Sequence, residues 1–220
     1  MKEGPIVIEY YTDVLCVWAW IAQRRIDELN AQSSSKLDFQ HRYIDLFGDT
    51  ATRIGQQWAD KGSYEGFCDH ICEVAAPYAS APVNKAVWRK TRPHTSTNAH
   101  LVIKAVELAE GKQAAIDFAL ALRKAFFIDA RDIGNLDILF ELIKEQNCAA
   151  DAVRQAINDG RAIALLIADF QKGKQLAIKG SPSYVIDEGR QTLYGNIGYR
   201  VLHANINELL KHPSDEASWC

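Results

Sequence analysis

"YYTDVLCVWAWIAQRR", residues 10–25, changes its period part-way through. Tyr10 to Val14 end a β-branched and aromatic run, "PIVIEYYTDV" (5–14), which has the composition of a buried strand. From Val17 to Asn30 the apolar residues Trp18, Ile21, Ala22 and Leu29 recur at helical spacing, with Arg24, Arg25, Asp27 and Glu28 mostly opposite. Cys16 stands at the changeover. The free N–H groups and dipole of a helix N-terminus stabilise negative charge there and lower a thiol's pKa. A free cysteine is equally at home as a small buried hydrophobe. Three positions on, where a dithiol redox site keeps its second cysteine, the chain has Ala19.

Outward from this stretch, "AQSSSK" (31–36) is a turn cluster, and "LDFQHRYIDL" (37–46) alternates Leu37, Phe39, His41 and Tyr43 with polar neighbours. Strand, helix and strand in succession place the two strands parallel in one sheet. Alternation then stops, and helical patterns cover 50–60, 64–76, 97–110, 112–127, 135–147, 149–158 and 161–172. Asn135 is an N-cap candidate, Gly111 separates two helices, and Gly160 sits where a helix C-terminus favours positive φ. Strand pattern returns in "SYVIDEG" (183–189) and "QTLYG" (191–195), a hairpin turning at Asp187–Gly189. A last helix over 198–211 carries Val201, Leu202, Ile206, Leu209 and Leu210, followed by a frayed tail, "HPSDEASWC". A sheet divided by helices implies one discontinuous α/β domain, 1–48 with 176–220, and an all-helical insertion over 49–175.

The 220 residues are 48% hydrophobic and 24% charged, the balance of a globular protein. A net charge of -3 argues against general nucleic-acid binding. "KAVWRKTRPH" (85–94) is a local exception, read either as a solvated basic loop or as a site for a small anion. The start lacks a secretory pattern and no run approaches a bilayer span, so the expected location is cytoplasmic, without a membrane partner. There thiols stay reduced, and the five cysteines at 16, 68, 72, 148 and 220 are not expected to form structural disulfides. Cys68 and Cys72, at i and i+4 on one helical face, read as core, with a resolving role for Cys16 left open for them and for Cys220. They lack a second pair for a metal, and no metal is expected. "GNIG" (195–198) fits a KH loop by letters only, because a strand precedes it.

"DVLCVWAWIA" (13–22) resembles the active-site stretch of the DsbA-like thioredoxin family, whose bacterial cytosolic members carry Cys-Pro-Trp-Cys after an Asp. In that register Cys16 is the nucleophile, Val17 replaces Pro, Trp18 is retained and Ala19 replaces the resolving cysteine. "TSTNAHLVIKAVELAEGK" (95–112) resembles the family's helical insertion, and "GSPSYVID" (180–187) its cis-proline segment. The resemblance covers nearly the whole chain and implies a thioredoxin-like fold with a large helical insertion. It also implies a substrate surface in which Ser181 and Pro182 present backbone beside Cys16 and Trp18 shapes the rim.

The same stretch is similar to a sister group, the 2-hydroxychromene-2-carboxylate isomerases and kappa-class glutathione transferases, which usually carry Ser where this chain has Cys16. Their Asp-Arg pair after the last strand's glycine is here "GNIGYR" (195–200), so Asn196 would bind glutathione through hydrogen bonds without the charge. Three readings follow. The first is a monothiol thiol–disulfide oxidoreductase acting on a small thiol or a protein disulfide. Its mixed disulfide is released by glutathione as co-substrate, because Ala19 cannot resolve it, and such a site makes a poor oxidant. The second is a glutathione-dependent isomerase or transferase. The third is a non-catalytic binding protein on the same fold, favoured by a high Cys16 pKa. Relatives often dimerise, which leaves a homodimer open. A sealed Cys16, or a trans Ser181–Pro182 bond, argues against both enzymatic readings.

Overall fold

The computed structural model describes residues 4–33 and 36–211. The tail from His212, Cys220 with it, and Ser34 and Ser35 of the expected turn lie outside the described residues. Strands from the two ends of the chain meet in one sheet. β1 (Ile6–Thr12) runs parallel to β2 (Leu37–Tyr43), with Ile6 opposite Leu37 and Thr12 opposite Tyr43. The crossover between them is α1 (Val17–Ser33). On its other side β1 pairs antiparallel with β3 (Ser183–Ile186), which turns back as β4 (Gln191–Tyr194), giving the order β2-β1-β3-β4.

Between β2 and β3 the chain is helical: α2 (Ser63–Ala75), α3 (Thr97–Glu110), α4 (Lys112–Phe127), α5 (Leu136–Glu145), α6 (Ala150–Asn158) and α7 (Arg161–Gln175). The side chain of Asn135 caps α5 by accepting from the Asp137 amide at 2.8 Å, and Gly160 takes φ +82 between α6 and α7. α8 (Tyr199–Lys211) follows β4. No described helix is long and apolar enough to cross a membrane.

Two segments differ from expectation. The helix expected over 50–60 is a π-helical turn, Ala51–Gln56, and a short 3-10 turn, Ala59–Lys61, ending at Gly62 with φ +88. Asp49 caps its start by accepting from the Thr52 amide and hydroxyl, and the Gln57 amide then donates five residues back to the Thr52 carbonyl at 3.0 Å, the π-type bond that widens the turn. The strand expected to reach Leu46 ends at Tyr43, because the chain bends so that the Phe47 amide can reach Asp13.

Alternation along the strands assigns the two faces. Ile8, Tyr10, Phe39, Tyr184 and Ile186 form a core with Ile26 and Leu29 of α1 and Leu202, Ile206 and Leu209 of α8. Tyr11, Ile44 and Val185 face the other way, against α7. There Gly173 lets helix and sheet close up, since a Cβ on it would lie 3.3 Å from Ile44. Asp169 of α7 is buried on that side and anchors it, accepting from the Tyr43 amide at 3.1 Å, Arg42 at 3.0 Å and Lys104 at 2.9 Å. The largest core lies among the helices, where Trp88 is fully buried between Phe47, Phe67 and Phe126.

Candidate active site

The turn from β1 into α1 is held by its own aspartate. Asp13 Oδ1 accepts from the Leu15 amide at 2.9 Å; Oδ2 accepts from the Phe47 amide at 2.9 Å and from Ser96 Oγ at 2.7 Å. The Val14 amide donates to His100 Nε2 at 3.2 Å, and the Cys16 amide to the Asp13 carbonyl at 3.1 Å. Two distant segments, the chain at Phe47 and the start of α3, therefore fix the backbone just ahead of Cys16. Cys16 occupies the capping position of α1, its carbonyl accepting from the Ala19 and Trp20 amides at 3.1 Å each.

Ser181 closes the other side. The Ser181–Pro182 bond is cis, and the Asp13 amide donates to Ser181 Oγ at 3.0 Å. The Cys16 thiol donates to the Ser181 carbonyl at 3.1 Å. Cys16 is 4% exposed and Ser181 8%, so the sulfur lies just under the surface, nearly enclosed. Burial pushes the Cys16 thiol above its ordinary value. The Ser181 side chain and the first-turn amides of Ala19 and Trp18 pull it down, while the nearby Asp13 charge pushes it up. The expectation of a thiol lowered by the helix terminus is thus reversed: the amides are present, but desolvation outweighs them.

Beneath this turn lies a polar interior. Asp13 is fully buried, and desolvation raises its carboxyl to about 6 against the opposing pull of its hydrogen bonds and of Arg123. Arg123 of α4 is 1% exposed, donating to Thr12 Oγ1 at 2.9 Å and to Gln23 Oε1 at 3.4 Å. Among the described residues it has no carboxylate at ion-pair distance, and its Nε has no partner. Burial, then the Arg123 charge, holds His100 down at about 3, so the ring is neutral and Nε2 is free to accept. In the sequence Asp13, Ser96 and His100 stand out only as members of the motifs at 13–22 and 95–112, and nothing marks Arg123. The Asp three residues before Cys16 was the one local signal available.

The other expected residues are placed as follows. Trp18 is half-buried against the helical core. Asn196 follows β4, and its carboxamide is engaged at both ends, accepting from Arg25 at 2.5 Å and donating to the Tyr78 hydroxyl at 3.0 Å. Cys68 is buried as core beside a half-buried Cys72, and burial raises it to about 11. Its sulfur is approached by Arg89 at 3.2 Å and directed at the Lys85 carbonyl, whereas the Cys16 sulfur is directed at Ser181. The 85–94 segment is not a solvated loop throughout, because Trp88 is core, Arg89 pairs with Glu65 and Asp69, and Arg92 pairs with Glu65. Among the described residues, no group of three or more His, Cys, Asp or Glu side chains is placed to hold a metal ion.

A family model for the DSBA-like thioredoxin domain matches residues 7–207. The chain belongs to that family. Among solved structures, this DSBA-like domain is similar to a Nitrosomonas europaea protein at TM-score 0.74 and 18% identity, covering 96% of this chain and 100% of that one. The cytosolic disulfide reductase DsbM from Pseudomonas aeruginosa matches at TM-score 0.68 and 18% identity, over 93% of this chain and 98% of DsbM. A 2-hydroxychromene-2-carboxylate isomerase matches at TM-score 0.68 and 15% identity, over 96% and 100%. At these identities the likeness is one of fold. No curated protein matches the sequence.

Proposed function

We propose that this DSBA-like domain is a monothiol thiol–disulfide exchange enzyme working in the reducing direction, with Cys16 as nucleophile. One observation carries the reading: Cys16 stands at the N-terminus of α1 and its sulfur lies 3.1 Å from the Ser181 carbonyl, beside Pro182. A substrate's backbone that pairs with this segment brings its disulfide to that sulfur. The Cys16 thiolate attacks one sulfur of R–S–S–R′, forming Cys16–S–S–R and releasing R′S⁻. Glutathione thiolate then attacks the mixed disulfide, giving GS–S–R and restoring Cys16. Electrons balance without any further oxidant. The missing second cysteine supports the direction, because with Ala19 in its place the site holds no disulfide of its own to pass to a substrate.

The near-enclosure of Cys16, together with its raised pKa, favours a second reading, a binding protein that has lost catalysis with the second cysteine. Incubation with glutathione disulfide, followed by mass spectrometry and compared with Cys16→Ser, separates the possibilities. A glutathione adduct on Cys16 that reduced glutathione removes supports exchange. Protection of Cys16 from alkylation by reduced glutathione, without an adduct, supports the glutathione-dependent isomerase or transferase alternative. No adduct and no protection leaves the non-catalytic reading.

A further inference from the structure

α7 has two apolar faces. Ala162, Leu166, Asp169 and Gly173 point inward and are buried. On the adjoining flank, at helical spacing, Ile163 and Ile167 are 40% and 42% exposed, Phe170 is half-buried and Lys174 is exposed. An amphipathic helix with an outer apolar flank of this kind is incompletely partnered. From Ile167 to Lys174 this flank forms one wall of a groove of about 500 Å³ whose other wall is the chain leaving β2, at Ile44 and Leu46, with Ile178 at its end.

The groove's rim is cationic in a chain whose net charge is -3. Arg53, Lys174 and Lys179 border it against one carboxylate, Asp45. None of the three cations has an ion-pair partner among the described residues; Arg53 lies over the Phe47 ring at 5.2 Å. β1 and β2 are parallel and β3 antiparallel, so residues 44–47 leave the sheet and 178–182 enter it at the end that carries Cys16. Lys179 is two residues before Ser181, and the Phe47 amide is bonded to Asp13.

We infer that this groove docks an extended, acidic peptide segment with apolar side chains, delivered to the Cys16 end of the sheet. Charge selects the acidic residues and the Ile167–Phe170 wall the apolar ones. From Ile167 to Lys174 the helical wall rises about 10 Å, the length of about three extended residues, which suits a short peptide segment. Docking stands apart from the monothiol reading; only the delivery of a disulfide to Cys16 rests on it.

The test uses the full chain and a fluorescein-labelled, cysteine-free peptide of about five residues that alternates aspartate with leucine and phenylalanine, followed by anisotropy. Wild type and Cys16→Ser are expected to bind it equally, which keeps docking separate from thiol chemistry. The Lys174→Glu, Lys179→Glu double variant is expected to weaken binding by at least about ten-fold, and Ile167→Asn by several-fold. A Lys90→Glu, Lys144→Glu control, with the same change in net charge elsewhere on the surface, is expected to bind as wild type. Equal loss in both double variants, equal binding of a lysine-substituted peptide, or no binding to wild type overturns the inference. So does a dimer in sedimentation that Ile167→Asn dissociates while the peptide shows no affinity, which would give the groove to a second copy of the chain.

Discussion

The thiol of Cys16 donates to the carbonyl oxygen of Ser181 across 3.1 Å, although 165 residues separate them in the chain. Backbone thus receives the proton end of the nucleophile, and the sulfur is held as a neutral thiol between a helix terminus and a strand entry. Forming the thiolate breaks that hydrogen bond and charges an almost fully buried atom. Both costs act on one measurable quantity.

Alkylation of Cys16 is therefore expected to accelerate only above the ordinary thiol range of about 8.5, without a plateau near neutrality. The sign follows from the cause, since burial disfavours the charged form of an acid. Iodoacetamide labelling across pH, read on the Cys16 peptide by mass spectrometry, checks it. Fast labelling at pH 6 would mean that the helix-terminus amides outweigh desolvation after all.

Asp13 links the site to pH-dependent stability. Its folded value of about 6 lies above the ordinary 3.8, so between those values the folded state keeps a proton that the unfolded chain has released. Stability falls as pH rises through this window, and the penalty of about 3 kcal/mol is complete above about 6. Asp13→Asn removes this slope. It also leaves one oxygen to serve the Leu15 amide, the Phe47 amide and Ser96 Oγ, so a net loss of about 1–2 kcal/mol is expected at pH 7. Urea unfolding of both proteins from pH 4 to 8 reads both effects; a slope that survives in the variant would assign it to another group.

Arg123 gives a third test. A buried guanidinium without a carboxylate partner keeps much of its desolvation cost, so an apolar side chain of similar length gives up little. Arg123→Met is expected within about 1 kcal/mol of wild type, and Arg123→Ala, which leaves a cavity, about 3 kcal/mol below it. Either change removes the charge that pulls Asp13 down, so the Asp13 midpoint moves above about 6. If both variants lose equal stability, the charge rather than the volume holds the helix, and this account of Arg123 fails.

The sequence disclosed most where the physics is local. Periods of 2.0 and 3.6 placed nearly every strand and helix, and the Asn135 cap and the turn at Gly160 were legible from single residues. Cys16 and Pro182 stood out because each sits where a strand meets a turn. The network beneath them did not. Asp13 bonds to Phe47 and Ser96 at separations of 34 and 83 residues, and Arg123 bonds to Thr12 at 111, and no periodicity encodes such meetings. Trp88 misled for a related reason. Its charged neighbours read as solvent-facing, yet Arg89 and Arg92 turn out to Glu65 and Asp69 while the indole turns in. The thiol's burial was equally hidden, because enclosure depends on the Ser181 segment arriving from the far end of the chain.

Gly66 offers a test of the packing that frames the helical block. It lies in the first turns of α2, and a Cβ there would stand 1.7 Å from the Lys61 carbonyl oxygen, a backbone atom that cannot rotate away. The turn ending at Gly62, whose carbonyl also accepts from the Gly66 amide at 3.2 Å, would have to move as a unit. Gly66→Ala is therefore expected to lower stability by at least about 2 kcal/mol despite alanine's better helix propensity, worth only about 1 kcal/mol in the other direction. Gly180→Ala, where a Cβ meets nothing within 4 Å, serves as the control and is expected near neutral. Denaturant midpoints of the two variants decide between crowding and propensity. A stabilised Gly66→Ala would show that the entry to α2 gives way easily, and that propensity governs this end of the helix.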